Sequence, residues 1–130
     1  MIYKFHGEKP IEGVQMAELF ESLEWASARF PDRLSGILEN CTVLGAWEGE
    51  KLVGLMSALS DSFNVYFQYL CVHPDFQRKG VGSELIRLIL EKYHDHPRQV
   101  LTTVPEALDF YLRMGFHVRE GKVSLAARDI

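Results

Sequence analysis

The order of apolar patterns along this chain predicts an α+β (mixed α/β) fold, one domain over residues 1–130. Three observations carry that expectation. First, two β-rich runs, Thr42–Trp47 and Leu52–Leu59, flank the polar link Glu48-Gly49-Glu50-Lys51 and read as a hairpin. The turn Asp61-Ser62-Phe63-Asn64 adds a third run, Val65–Val72, which completes an antiparallel meander. Second, Leu85, Ile86, Ile89, Leu90 and Tyr93 recur at helical spacing, with Glu84, Arg87 and Glu91 on the opposite face. That helix lies between Val65–Val72 and another β run, Gln99–Val104, as in a right-handed crossover between parallel strands. Third, 47% hydrophobic and 25% charged residues over 130 positions is globular composition, enough for one core.

The remaining elements follow in order. Ile2–His6 alternates and reads as a first strand. Val14–Leu23 is helical, with Met16, Leu19, Phe20 and Leu23 on one side. Trp25 and Phe30 fall in a less regular stretch, and Pro31 opens a second short helix that ends near Asn40. His73-Pro74 stops the third meander strand, because proline cannot continue a ladder. Pro105–Met114 is expected to be a helix, opened by proline and closed by Gly115. Phe116–Arg119 and Val123–Leu125 should be strands across the Gly121-Lys122 turn.

Composition also excludes partners. A formal net charge of −4 gives no global attraction to nucleic acid or to an anionic membrane. No apolar run approaches the roughly 20 residues of a membrane span. The start Met-Ile-Tyr-Lys-Phe-His does not resemble a signal peptide, and Cys41 and Cys71 stand far apart without a CxxC pair. A soluble cytoplasmic protein is therefore the expectation, without a disulfide framework or a metal site. His94-Asp95-His96 is a weak metal pattern and reads better as a solvated turn.

Chemistry concentrates in Gln77-Arg78-Lys79-Gly80-Val81-Gly82-Ser83, two glycines at the start of the long helix. The first amides of a helix have no internal partner, and glycine lets a ligand approach the backbone. With Arg78 and Lys79 at the rim, such a loop suits a pyrophosphate. It is neither a GxxxxGK[ST] loop nor a GxGxxG fingerprint, since Leu85 stands where the third glycine would be.

A second stretch, Ala107-Leu108-Asp109-Phe110-Tyr111-Leu112-Arg113-Met114-Gly115-Phe116, follows the loop. Together with Leu70-Cys71-Val72-His73-Pro74 ahead of the loop, the two resemble the signatures of the GNAT superfamily of acetyl-coenzyme-A-dependent N-acetyltransferases. The family pattern of Gln or Arg, two variable residues, Gly, one variable residue, and Gly or Ala is met by Gln77–Gly82. Likeness is strong over Leu52–Phe116. One departure is Thr102-Thr103-Val104-Pro105, which lacks the asparagine common before the tyrosine helix.

The resemblance implies a GNAT-like acyl-CoA N-acyltransferase fold, a mostly antiparallel sheet whose fourth and fifth strands splay apart between flanking helices. It implies acetyl-CoA as co-substrate, with pyrophosphate on Gln77, Arg78, Lys79, Gly80, Val81, Gly82 and Ser83. The pantetheine arm would lie along Leu70, Cys71 and Val72, with a backbone N–H near Leu70–Cys71 facing the acetyl carbonyl. Tyr111 matches the family's general acid. The expected reaction is direct transfer to a primary amine, a small molecule in preference to a protein lysine. The alternative is a non-catalytic coenzyme-binding module of the same fold. Many relatives pair, which leaves room for a homodimer.

For the base, Glu24, Asp61, Tyr69 and His73 border the expected acceptor side, and a water chain is the other option. Cys71 as a covalent nucleophile is disfavoured, because a strand cysteine is usually an inert hydrophobe. Acceptor choice should rest on Leu23–Asn40 and Ser60–Asn64. There Trp25 and Phe30 are pocket wall or core, and Glu21, Glu24, Asp32 and Glu39 favour a cation or simply meet water.

Overall fold

The structure, a computed structural model, describes residues 1–130. In chain order the elements are β1 (Ile2–Phe5), α1 (Gly13–Ser22), a 3-10 turn (Ala26–Arg29), α2 (Pro31–Asn40), β2 (Thr42–Glu48), β3 (Lys51–Ser60) and β4 (Asn64–Val72). A second 3-10 turn (Pro74–Phe76), α3 (Val81–Lys92), β5 (Arg98–Leu101), a third 3-10 turn (Pro105–Ala107) and α4 (Leu108–Arg113) follow. The strands form one sheet in the order β1-β2-β3-β4-β5, antiparallel except for the parallel β4–β5 pair. Meander, crossover and flanking helices are thus as expected, with β1 added beside β2. No helix is long and apolar enough to cross a membrane.

The sheet separates two apolar layers. On one face Val81, Leu85, Ile86 and Ile89 of α3, with Tyr93 just past its end, pack on Leu44, Val53, Met56, Val65 and Phe67. On the other, Met16, Leu19, Phe20 and Leu34 of α1 and α2 pack on Val43, Trp47, Leu55 and Cys71. The Tyr93 hydroxyl keeps its polarity satisfied by donating to Thr42 Oγ1 at 2.6 Å.

Strand β4 has one residue too many for its partner. Tyr69 pairs with Ser57 and Phe67 with Ala58, so Gln68 is a bulge. Side chains alternate along a strand, so one extra residue swaps the faces. Val65 and Phe67 lie in the α3 layer, whereas beyond the bulge Leu70 and Val72 take that side. Tyr69 and Cys71 turn toward α1 and α2.

Two expected strands do not form. Phe116–Arg119 and Val123–Leu125 are irregular, and β5 ends at Leu101 instead of Val104. β-prone residues make a strand only when a ladder and a buried face accept them. Here Val123 and Leu125 are 83% and 87% exposed, and no backbone hydrogen bond involves a residue beyond Phe116. The expected Pro105–Met114 helix opens as a 3-10 turn before α4 begins, with Ala107 N–H bonded to Val104 C=O at 3.1 Å.

Helix α3 sits close to the sheet because position 54 has no side chain. A Cβ on Gly54 would stand 3.1 Å from the Cys71 carbonyl oxygen, 3.3 Å from Val81 Cγ1 and 3.4 Å from Leu85 Cδ1. The nearest of these is backbone and cannot swing away. Gly36 is the opposite case, since a Cβ in α2 would meet only Asn40 Nδ2 at 3.9 Å. We expect Gly54→Ala to destabilise by about 1–3 kcal/mol, and Gly36→Ala to stabilise by about 0.5–1 kcal/mol. Urea denaturation of the two variants beside the parent measures both, and equal midpoints for all three would refute the packing account.

Candidate active site

The site is a fork between strands. β4 and β5 pair from Asn64↔Arg98 to Phe67↔Leu101 and then part, while β4 continues to Val72 with β3 alone. The free edge of β4 therefore carries unpaired backbone groups, and their direction can be read residue by residue. His73 N–H bonds to Val53 C=O at 2.7 Å, toward β3. Backbone groups of alternate residues share an edge, so Cys71 also faces β3, consistent with its carbonyl oxygen lying against Gly54. Leu70 and Val72 then face the fork. Gln77 Nε2 donates to the Val72 carbonyl at 2.9 Å, which leaves the Leu70 N–H turned into the open gap. Of the three β4 positions expected to meet the coenzyme, two present their main chain to the fork and Cys71 does not.

At the fork's end the chain passes through the Pro74–Phe76 turn into the glycine loop. Gly80 is the N-cap of α3, with φ +84°, a left-handed conformation that a side chain disfavours. No side chain caps this helix, so the Val81, Gly82 and Ser83 amides lie open at the positive end of the dipole. Arg78 is also left-handed, at φ +63°, and is exposed. The Lys79 ammonium stands over the Phe76 ring at 5.4 Å, with Lys51 on the same ring at 5.7 Å. Glu84, the acid in the first turn, is engaged by Arg87, which holds its carboxyl below the usual range. The residues present fit an anionic pyrophosphate: free amides, a helix N-terminus and flanking cations, with the local acid already paired.

Tyr111, on α4, is half-buried and packs against the α3-side layer. Phe110 and Phe116 hold its ring edge-on, at centroid distances of 5.2 and 5.5 Å. Burial pushes its phenol up from the ordinary value, Thr103 eases that shift, and interaction with a Cys71 charge adds to it. Sequence reasoning did not single out Thr103, and the only hint available was its place between the end of β5 and the tyrosine helix. A cavity of about 760 Å³ is bordered by Thr103, Tyr111 and Phe116 and by the irregular tail, and does not reach the glycine loop.

The opposite side of β4 carries an aromatic cluster. Phe20, Trp25 and Tyr69 have centroids 5.2, 5.3 and 6.2 Å apart. A helix-ending motif builds it: Trp25 N–H bonds to Phe20 C=O at 3.1 Å and Glu24 N–H to Glu21 C=O at 3.0 Å, with Glu24 at φ +57°. Phe20 is fully buried, while Trp25 and Tyr69 are half-buried, so Trp25 belongs to the packed layer and also borders its edge. Phe30 lies outside it, 44% exposed beneath the Arg29 guanidinium. Glu21, Glu24, Asp32 and Glu39 are exposed.

The other candidates are placed as follows. Asp61 accepts from the amides of Asn64 and Phe63 at 2.7 and 3.0 Å and from Asn64 Nδ2, contacts that hold its carboxyl low and make it the clamp of the β3–β4 turn. His73 Nδ1 accepts from the Asp75 amide at 3.1 Å and so caps the Pro74–Phe76 turn. Burial pushes the Cys71 thiol far up, the reverse of what a nucleophilic thiolate needs. His94 Nδ1 lies 3.0 Å from the Glu91 carbonyl and His96 Nδ1 3.0 Å from Asp95 Oδ1, separate partners with no third ligand.

Known proteins of similar sequence and shape identify the family. Residues 13–125 match the acetyltransferase (GNAT) domain model. The uncharacterized N-acetyltransferase ycf52 of Gracilaria tenuistipitata var. liui is 37% identical over 68 residues, half of this chain and 37% of that protein. Its namesake in Pyropia yezoensis is 27% identical over 116 residues, 83% of this chain and 66% of that protein. The chain thus spans from about a third to two thirds of these relatives' length. A GNAT-family acetyltransferase from Streptococcus pneumoniae TIGR4 superposes with a TM-score of 0.77 at 24% identity over 98% of both chains, which shows the fold. The chain belongs to the GNAT acetyltransferase domain family.

Proposed function

We propose that this protein is an N-acetyltransferase that moves the acetyl group of acetyl-coenzyme A to a primary amine on a small molecule by direct attack. The observation that carries the reading is the fork: a free β4 edge with an uncapped glycine loop at its end, and a half-buried tyrosine packed against the same α3-side layer. The coenzyme supplies an activated thioester. The amides of Val81, Gly82 and Ser83, with Gln77, Arg78, Lys79 and Gly80 around them, bind its pyrophosphate. The exposed edge at Leu70 and Val72 receives the pantetheine amides in strand fashion.

The Leu70 N–H serves as the oxyanion donor, a role whose loss typically costs about 3 kcal/mol in the transition state. Nitrogen attack forms the C–N bond and expels the sulfur. Tyr111 gives its phenolic proton to that sulfur, and the proton shed by the nitrogen returns to the phenolate through solvent. Burial suits Tyr111 to this, because a phenol raised above its ordinary value stays protonated throughout the neutral range. A phenol near 10 and an alkyl thiol near 8.5 differ by about 2 kcal/mol, which the site bridges only at the moment of transfer. The Phe20–Trp25–Tyr69 side of β4 is where the amine approaches, with Trp25 and Tyr69 as its apolar wall.

Calorimetric titration with acetyl-CoA, ATP and NAD, followed by an amine panel scored for free thiol, tests the reading. Saturable acetyl-CoA binding and thiol release with at least one amine are expected. Binding without release would leave a coenzyme-binding module, and binding of ATP alone would refute the coenzyme assignment. Tyr111→Phe should lower kcat on the order of 100-fold with coenzyme affinity within about threefold. The two loop glycines should differ. A Cβ on Gly80 meets no atom within 4 Å but is strained by its φ, so Gly80→Ala should weaken acetyl-CoA binding about fivefold, the equivalent of about 1 kcal/mol. A Cβ on Gly82 would make ordinary contacts, 3.5 Å to Phe110 Cζ and 3.8 Å to Val72 Cγ2, so Gly82→Ala should bind within about twofold of the parent. Equal effects at the two positions would contradict this account of the loop.

A further inference from the structure

We propose that Lys51, at the start of β3, is a coenzyme-specificity residue. With Lys79 it binds the phosphate monoester on the ribose of acetyl-CoA, the group that distinguishes this coenzyme from its dephospho form. The inference rests on the coenzyme reading proposed above and extends that site to the β2–β3 hairpin.

The geometry begins with two ammonium groups gathered on one ring. Phe76 ends the 3-10 turn that leads into the glycine loop, and it packs against the α3-side layer. The Lys79 ammonium stands 5.4 Å from the ring centroid and the Lys51 ammonium 5.7 Å from it. His73 meets the same ring edge-on at 6.0 Å. Like charges repel, and each would ordinarily be offset by a carboxylate. None is supplied here, because Lys51, Arg78 and Lys79 form no ion pair. Glu50, the acid beside Lys51, is bonded by Lys9 at 3.3 Å, and the Asp75 carboxylate lies 3.9 Å from His73 Nδ1. Two cations held on an aromatic ring without an internal counter-ion make a seat for an external anion.

The loop has two sides. Position 82 faces α4 and the end of β4, where a Cβ would touch Phe110 Cζ at 3.5 Å and Val72 Cγ2 at 3.8 Å. Position 81 faces β3, with Val81 Cγ1 3.3 Å from a Cβ placed on Gly54. β3 lies on the edge of β4 opposite to β5, and Lys51 begins β3, so the ammonium pair stands on the side of the loop away from the fork. The pantetheine arm runs from the pyrophosphate into the fork, and the adenosine half therefore leaves the open amides in the other direction. That half carries a phosphate monoester of about −1.5 to −2 charge near neutral pH, more than either phosphate of the pyrophosphate bridge. The pyrophosphate takes the free amides of α3, and the lysines answer the remaining dianion. Lysine suits a phosphate carried on a ribose, because its ammonium is a point charge on a flexible stem and needs no fixed bidentate geometry.

Calorimetric titration with acetyl-CoA and with acetyl-dephospho-CoA decides the matter for the parent, Lys51→Met, Lys51→Arg and, as a control for net charge, Lys4→Met on β1. Lys51 is exposed and methionine keeps an apolar stem on Phe76, so Lys51→Met should unfold at the parent's urea midpoint. The parent should bind acetyl-CoA about tenfold more tightly than acetyl-dephospho-CoA. Lys51→Met should narrow that preference to about threefold or less, with the loss confined to acetyl-CoA. Lys51→Arg and Lys4→Met should keep the preference within about twofold of the parent's. Equal weakening of both coenzymes in Lys51→Met would assign Lys51 to the pyrophosphate and overturn the proposal. An unchanged preference in Lys51→Met, a parent without preference, loss in Lys51→Arg, or an equal effect of Lys4→Met would overturn it as well. In each of those cases acetyl-CoA still binds and the coenzyme reading stands. A parent that binds neither coenzyme would remove both.

Discussion

Everything in this molecule that can do chemistry depends on β4 outlasting its partner. A strand inside a sheet has its backbone groups satisfied on both edges and offers nothing to a ligand. β4 keeps β3 beside it from Val65 to Val72, across the bulge at Gln68, and loses β5 after Phe67. Main-chain donors and acceptors are thereby exposed on a rigid element rather than on a loop. Such groups cost no reorganisation when a substrate meets them, which is the condition for a preorganised oxyanion donor.

The fork would be useless if the loop at its end were not fixed in register with it. That is the role of the tight seat of α3. Gly54 lets Val81 and Leu85 come down on the sheet beside Cys71, so the first turn of α3 is tied to the same part of β4 that presents Leu70 and Val72. Gln77 adds a direct link by bonding the Val72 carbonyl. The bulge at Gln68 contributes from the other direction. By swapping faces, it sends Leu70 and Val72 to the α3 side and turns Tyr69 toward Phe20 and Trp25. One additional residue in β4 thus gives the two faces of the strand different neighbours on either side of Gln68.

Much of this was legible in the residues. The hairpin, the long helix with its one-sided apolar face and the glycine loop are local patterns, and local patterns survive folding. The bulge was legible too, in principle: apolar residues occupy positions 65 and 67 and then 70 and 72, a change of parity that a plain alternation reading smooths over. The tail was misread for a physical reason. Phe116–Arg119 and Val123–Leu125 have strand composition, but a strand depends on a partner, and these stretches join no ladder beyond β5, which ends at Leu101. Asp61 and His73 show the converse: polar residues beside the site whose side chains are already used by turns.

The end of α1 illustrates how strain can be carried where it is useful. Its left-handed position is held by Glu24, where glycine would avoid about 1 kcal/mol of steric cost. The motif persists because it returns Trp25 onto Phe20 and Tyr69, and burial of aromatic surface of that size outweighs the strain. The consequence reaches β4. Tyr69 is braced from the α1 side at the residue next to Leu70, so the backbone donor facing the fork is held from behind by an aromatic stack and from the side by β3. The segment that carries Trp25 is therefore not a free loop here. It is tied by Trp25 to β4, and a change in its packing would be felt directly at Tyr69 and at the neighbouring Leu70 backbone.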